Sequence, residues 1–167
     1  MNGKRMIELV TQNLEPYFNE IIISTHSRAS LEFLPYKLVE DKEPGYGPLM
    51  GILCGLEASS NAVNFVMACD IPEIDISFIM EMMRYTQQYE IVVPLGGNDE
   101  YEPLFAFYNR SLIERINNLL SRDIRKIIEL YSMASVKYIP FDKNAAPFSW
   151  YYNLNTVDDY YNYIKKK

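Results

Sequence analysis

Apolar positions along the chain switch repeatedly between helical and strand spacing. Over residues 4–18, Ile7, Val10, Leu14 and Phe18 share one face, which predicts an amphipathic helix. Residues 20–24 (EIIIS) predict a buried strand and residues 37–39 a second, short one. A helical pattern starts at Pro48 (LMGILCGLEAS), and residues 64–68 (NFVMA) read as a strand covered on both faces. Residues 77–89 carry Phe78, Ile79, Met82 and Met83 at helical spacing, a stripe that belongs to a core. Residues 91–95 and 103–108 predict strands on either side of the turn signal Gly96-Gly97-Asn98-Asp99. Helices over 111–120 and 123–131, a strand over 136–141 and a helix over 157–165 complete the chain. The final Lys165-Lys166-Lys167 suits the negative end of that last helix and needs no ligand.

This alternation predicts one three-layer α/β domain over residues 1–167, with no repeats or linkers. The order is irregular in one respect. Crossover helices join strand to strand, yet the first predicted element is a helix. A doubly wound sheet of this order would have a hydrophobic gap in its middle, flanked by two unpaired edges. Either the sheet is rearranged, or a partner fills the gap, or the native protein begins further upstream.

Candidate chemistry concentrates in residues 39–74. Pro72 ends the preceding strand, because it restricts Ile71 to extended geometry and cannot donate to a ladder. Asp70 is thereby left at a strand's carboxyl end, where α/β domains form their clefts. A carboxylate there can hold Mg²⁺ while phosphate oxygens and water complete the shell; capping of the next turn explains it equally well from pattern alone. Gly45-Tyr46-Gly47-Pro48 opens a helix, with Pro48 at the first helical position. A helix N-terminus can attract an anion. The spacing is neither a Walker loop nor a dinucleotide fingerprint, so tight helix–sheet packing is the favoured account of Gly51 and Gly55.

Composition narrows the field. The net charge of −6 argues against nucleic acid or an anionic membrane as the main partner. No apolar run reaches the length of a membrane span, and the first residues do not read as a secretory signal. Cys54 and Cys69 are not spaced as a metal or redox pair and read as buried thiols in a reducing cytoplasm. His26 is the single histidine, which excludes a histidine-pair mechanism and reads as a solvated loop residue.

The wording of these motifs resembles the molybdenum cofactor guanylyltransferase family. Asn2-Gly3-Lys4 resembles the family's NGKP, with Arg5 in place of proline. Glu40-Asp41, Gly45, Gly47, Pro48, Leu49, Gly51 and Ile52 match EDxxxGxGPLxGI, and Cys69, Asp70 and Pro72 match xxCDxP. Residues 102–108 (EPLFAFY) are similar to PLFALY, and Asn153-Leu154-Asn155-Thr156 resembles NINT. Together and in order these motifs are specific; singly they are not.

The resemblance implies a three-layer Rossmann-like nucleotidyltransferase fold with a mostly parallel sheet. It implies transfer of GMP from GTP to the terminal phosphate of molybdenum-bound molybdopterin, with release of pyrophosphate. Carried over by position, Asp70 is the Mg²⁺ ligand and catalytic group, and Asp41 contacts GTP. Ser24 falls where the family often has an asparagine on the nucleotide. Asn153, Asn155, Gly47 and Pro48 fall on the molybdopterin side, with Arg125; Arg110, Arg122, Arg125 and Lys126 are candidates for pterin or phosphate contacts, although a solvated helix face is the commoner explanation for each. The family's first strand and signature loop, LAGGxSxRMGxxK, is missing ahead of Asn2. That loop supplies donors for the triphosphate, so this polypeptide is expected to be a poor catalyst or none. Two alternatives follow: a loop-less binding or scaffold protein for molybdenum cofactor or molybdoenzyme-maturation partners, or another nucleotidyltransferase of this fold. The GPLxGI and NxNT wording argues against the latter.

Overall fold

The computed structural model describes residues 5–71, 74–97 and 100–141. In chain order the elements are α1 (Met6–Leu14), β1 (Ile22–Thr25), β2 (Lys37–Glu40), α2 (Pro48–Ala58), β3 (Val63–Met67) and α3 (Ile76–Met83). There follow β4 (Ile91–Leu95), β5 (Phe105–Asn109), α4 (Ile113–Ser121), α5 (Ile128–Tyr131) and β6 (Val136–Pro140). The predicted helix over 157–165 lies outside the described residues.

The strands form two separate ladders. β1 and β2 pair in parallel, and a four-stranded sheet runs β3-β5-β4-β6. Within it β4 and β6 are parallel, while β5 is antiparallel to both β3 and β4. Among the described residues the sheet is thus interrupted between β1 and β3, where the helix-first order predicts a gap.

The two ladders are held together at one edge by Glu20. Its Oε2 accepts from the Ser60 amide at 3.0 Å, the Ser60 hydroxyl at 2.8 Å and Asn61 Nδ2 at 2.8 Å. The Ser60 donors hold its carboxyl below the ordinary value of 4.5. Glu20 precedes β1 and Asn61 precedes β3, so these strands start side by side and run in the same sense. Between them lies a groove of about 1050 Å³. All five residues of β3 are only half-buried, because one edge opens on this groove; complete cover, expected for residues 64–68, is not reached.

Side chains alternate strictly across the four-stranded sheet, as strand geometry requires. Val92, Phe105 and Phe107 face α1 and α3, where Val10, Leu14, Ile79 and Met82 complete one core. Ile91, Val93, Ala106 and Tyr108 face α2, α4 and α5, forming the second. Helices on both faces give the three α/β layers. The stripe of α3 behaves as core, although its Met83 is 36 % exposed. Two predicted helices are shortened. The chain after α4 turns at Asp123, whose φ of +58° is left-handed, and becomes helical only from Ile128. After Met83 the segment continues as turns rather than helix.

Glu90 ties β4 to α4 and to the loop before β6. Its carboxylate accepts from Arg115 Nη1 at 2.7 Å, the Ser111 hydroxyl at 2.9 Å and the Ser135 amide at 3.2 Å. Arg115 chiefly holds it at about 2, against an ordinary 4.5. A depressed carboxyl contributes stability above its unfolded value and loses it as pH falls through the folded one. The stability gap between wild type and Glu90→Gln should therefore be constant above about pH 5 and close between about pH 4.5 and 2. Thermal melts of both proteins across that range check this.

Candidate functional site

The carboxyl ends of β1, β2 and β3 open onto one end of the groove. Ser24 and Thr25 end β1, Asp41 directly follows β2, and Asp70 follows β3 by three residues; Ser24, Thr25, Asp41 and Asp70 all line the cavity. The Ser24 hydroxyl donates to Asp41 Oδ1 at 3.1 Å. The Asp41 amide donates to the Thr25 carbonyl at 3.1 Å, which fixes the carboxylate beside β1.

Gly51 allows α2 to approach this pair. A Cβ there would meet Ser24 Oγ at 3.2 Å and Asp41 Oδ1 at 3.9 Å. We expect Gly51→Ala to push the Ser24 hydroxyl aside and lengthen its bond to Asp41 with little change in melting temperature. A crystal structure of the variant beside a thermal melt reads both.

Ahead of α2, Gly45 and Gly47 take φ of +84° and +68°, conformations that favour glycine. Pro48 then starts the helix. The loop is braced from outside by Arg125. Its guanidinium donates to the Gly45 carbonyl at 2.9 Å, lies 4.4 Å from the Tyr46 ring centroid and pairs with Asp123 at 2.6 Å. Arg125 was expected on the substrate side; its contacts among the described residues are to this loop and to Asp123.

Asp70 stands out chemically. Its Oδ1 is buried and has no hydrogen-bond partner among the described residues. Buried polar atoms are nearly always paired, so a buried carboxylate oxygen with no partner among the described residues, on a residue that lines the groove, suits a hard cation. Among the described residues no group of three His, Cys, Asp or Glu could hold a metal. A cation here would depend on Asp70 together with phosphate oxygens and water, the pattern Mg²⁺ favours. Glu102, which sequence reasoning passed over, is an electrostatic neighbour. Burial pushes its carboxyl above the ordinary range, and the Asp70 charge adds to the rise.

Asn153 and Asn155 lie outside the described residues. Ser24, Asp41, Gly47, Pro48 and Asp70 are brought to one cavity. His26 is an exposed loop residue, as expected. Both cysteines are free; Cys54 is buried, but Cys69 is exposed because β3 ends at Met67 and leaves it in the following turn. No helix of the described residues is long and apolar enough to cross a membrane.

A cleft at the carboxyl ends of parallel strands, carrying an aspartate and a glycine-opened helix, defines a nucleotide-handling α/β domain. The chain belongs to the MobA-like NTP transferase family, whose domain it matches over residues 1–136. A Clostridium perfringens relative named "Probable molybdenum cofactor guanylyltransferase" is 34% identical over 96% of this chain and 83% of its own length. In structure the chain is similar to molybdopterin-guanine dinucleotide biosynthesis protein A from Archaeoglobus fulgidus, with a TM-score of 0.80, 23% identity, and 99% of this chain and 88% of that one covered. It also shares its fold with a Mycobacterium tuberculosis protein solved in complex with manganese, at a TM-score of 0.65 and 14% identity over 98% of this chain and 88% of that one.

Proposed function

We propose that this protein is a molybdenum cofactor guanylyltransferase of the cytoplasm, which transfers GMP from GTP to molybdenum-bound molybdopterin. The observation that carries the reading is the buried Asp70 oxygen, without a partner among the described residues, on a groove that Asp70 lines together with Ser24 and Asp41. The guanylyltransferase named among its relatives, matched over most of both chains, supports the substrate pair.

In this reading the terminal phosphate oxygen of molybdopterin attacks the α-phosphorus of GTP. The bond from that phosphorus to the bridging oxygen breaks, and pyrophosphate leaves with the electron pair. The residues of this chain position rather than react. Asp41 and Ser24 would meet the nucleotide, Gly47 and Pro48 at the start of α2 would lie on the pterin side, and Asp70 would hold Mg²⁺. That ion, when bound, neutralises phosphate charge and polarises the reacting phosphoryl group. Manganese in the mycobacterial neighbour is consistent with a divalent cation in this fold.

A second reading, a binding subunit without transfer, has one observation in its favour. Among the described residues, no Lys or Arg side chain lines the cavity, so a triphosphate meets few counter-charges. Both readings are tested with GTP labelled at the α-phosphate, Mg²⁺ and molybdopterin. Transfer predicts slow appearance of label in the pterin product with matching pyrophosphate release; retention of all label in GTP predicts the binding subunit.

A further inference from the structure

We propose that Arg125 is a positioning residue for the acceptor substrate: it clamps the loop from Gly45 to Gly47 in the shape that the groove presents to the pterin, without touching the pterin itself. The inference deepens the guanylyl-transfer reading and rests on it. The loop is a partition. On one side Gly45, Gly47 and Pro48 line the large groove. On the other, Lys42, Glu43 and Tyr46 line a smaller cavity of about 280 Å³ against Met50 of α2 and Asn117 of α4. Packing does not hold this partition. A Cβ on Gly45 or Gly47 would meet nothing within 4 Å among the described residues, so both glycines serve the left-handed backbone and not a close approach. Glycine samples several backbone regions at similar cost, and the smaller cavity gives the loop room to shift.

Arg125 supplies the hold that packing does not. α4 ends in a turn in which the Asp123 amide donates to the Leu120 carbonyl at 2.9 Å and the Ile124 amide to that of Leu119 at 3.0 Å. The left-handed Asp123 in this turn redirects the chain, so that Arg125 lies against a loop 80 residues earlier. Its Nε donates to Asp123 Oδ1 at 2.8 Å, its Nη1 donates to the Gly45 carbonyl at 2.9 Å, and its Cζ lies over the Tyr46 ring. Asp123 thus fixes the guanidinium, and the guanidinium fixes neighbouring loop residues that face opposite cavities. Only a planar fork serves all of these contacts; a lysine ammonium keeps the charge but neither the fixed directions nor the stacking. The pair is exposed, Arg125 by 46 % and Asp123 by 71 % of the side chain, so it adds little to global stability and acts locally. Unclamped, the loop holds its competent shape for only part of the time, and acceptor affinity falls by that fraction.

The test uses the full chain with molybdenum-bound molybdopterin and α-labelled GTP, as wild type, Arg125→Lys, Arg125→Ala and Asp123→Asn. Asparagine tolerates left-handed backbone, so Asp123→Asn weakens the anchor and keeps the turn. Amide exchange over residues 45–50 of the free proteins reads the clamp with no substrate present. Each variant is expected to exchange there about tenfold faster and to raise the KM for molybdopterin about tenfold. The KM for GTP, kcat and the melting temperature are expected to stay close to wild type, since the clamp shapes the ground-state site alone. A direct anion contact gives a different order: Arg125→Lys keeps most of the affinity, and Asp123→Asn raises it by freeing the guanidinium. Either result overturns the proposal, as does unchanged exchange in the variants, or faster exchange with an unchanged KM. If the wild type binds molybdopterin without transfer, its Kd replaces KM and the same outcomes apply. A wild type that neither transfers label nor binds molybdopterin defeats the guanylyltransferase reading and this inference with it, whereas the other contrary results defeat the inference alone.

Discussion

Asp70→Ala is expected to abolish guanylyl transfer, by at least about a hundredfold, while the protein keeps its fold and its melting temperature. Two features separate these effects. Asp70 lies beyond the end of β3, outside the residues of either apolar core. Its buried Oδ1 finds no partner within the described residues, so that atom carries an uncompensated desolvation cost. Burying an unpaired polar atom costs about 1–3 kcal/mol, and its removal should leave stability unchanged or higher by up to about 1 kcal/mol, given that Asp70 is only half-buried. Transfer assays and calorimetric unfolding on one preparation test both arms. A variant that melts several degrees lower would show that Asp70 is a structural cap instead.

Phe105→Ala should give a large loss of stability, about 3–5 kcal/mol. Phe105 is fully buried in β5, the strand that joins β3 to β4. Its ring meets Phe65 edge-on at 5.0 Å and Phe78 of α3 at 6.4 Å. Truncation therefore opens a cavity at the junction of the interrupted sheet and its α3 layer. Denaturant unfolding measures the effect, and a loss below about 1 kcal/mol would mean that this core can collapse around the gap.

Much of this architecture is legible in the sequence because it is written in local periodicity. The amphipathic stripe of α1, the glycine-opened start of α2 and the apolar runs of β4 and β6 each carry their own signal. The direction of β5 does not, since its apolar residues read the same in a parallel or antiparallel ladder. Asp123 carries no mark of its left-handed backbone, and the helix expected over 123–131 shrinks to its last turn. Glu20 and Glu90 are equally silent, because Ser60 and Asn61 lie 40 and 41 residues from the first, and Ser111, Arg115 and Ser135 lie 21, 25 and 45 residues from the second. At the site, Asp70 and Asp41 are legible from strand ends and motif wording. Their convergence with Ser24 depends on the parallel pairing of β1 with β2. The bracing of the Gly45 loop by Arg125 is not legible either, because the two lie 80 residues apart in the chain.

The central claim is that the Asp70 carboxylate anchors a metal–nucleotide complex. Water-proton relaxation in a titration of Mn²⁺·GTP, suited to weak binding, tests it most directly on the wild type and on Asp70→Ala. We predict a saturable enhancement with wild type, at an affinity weaker than micromolar, and none with the variant. Equal enhancement in both proteins, or micromolar GTP binding that needs no metal, would contradict the assignment.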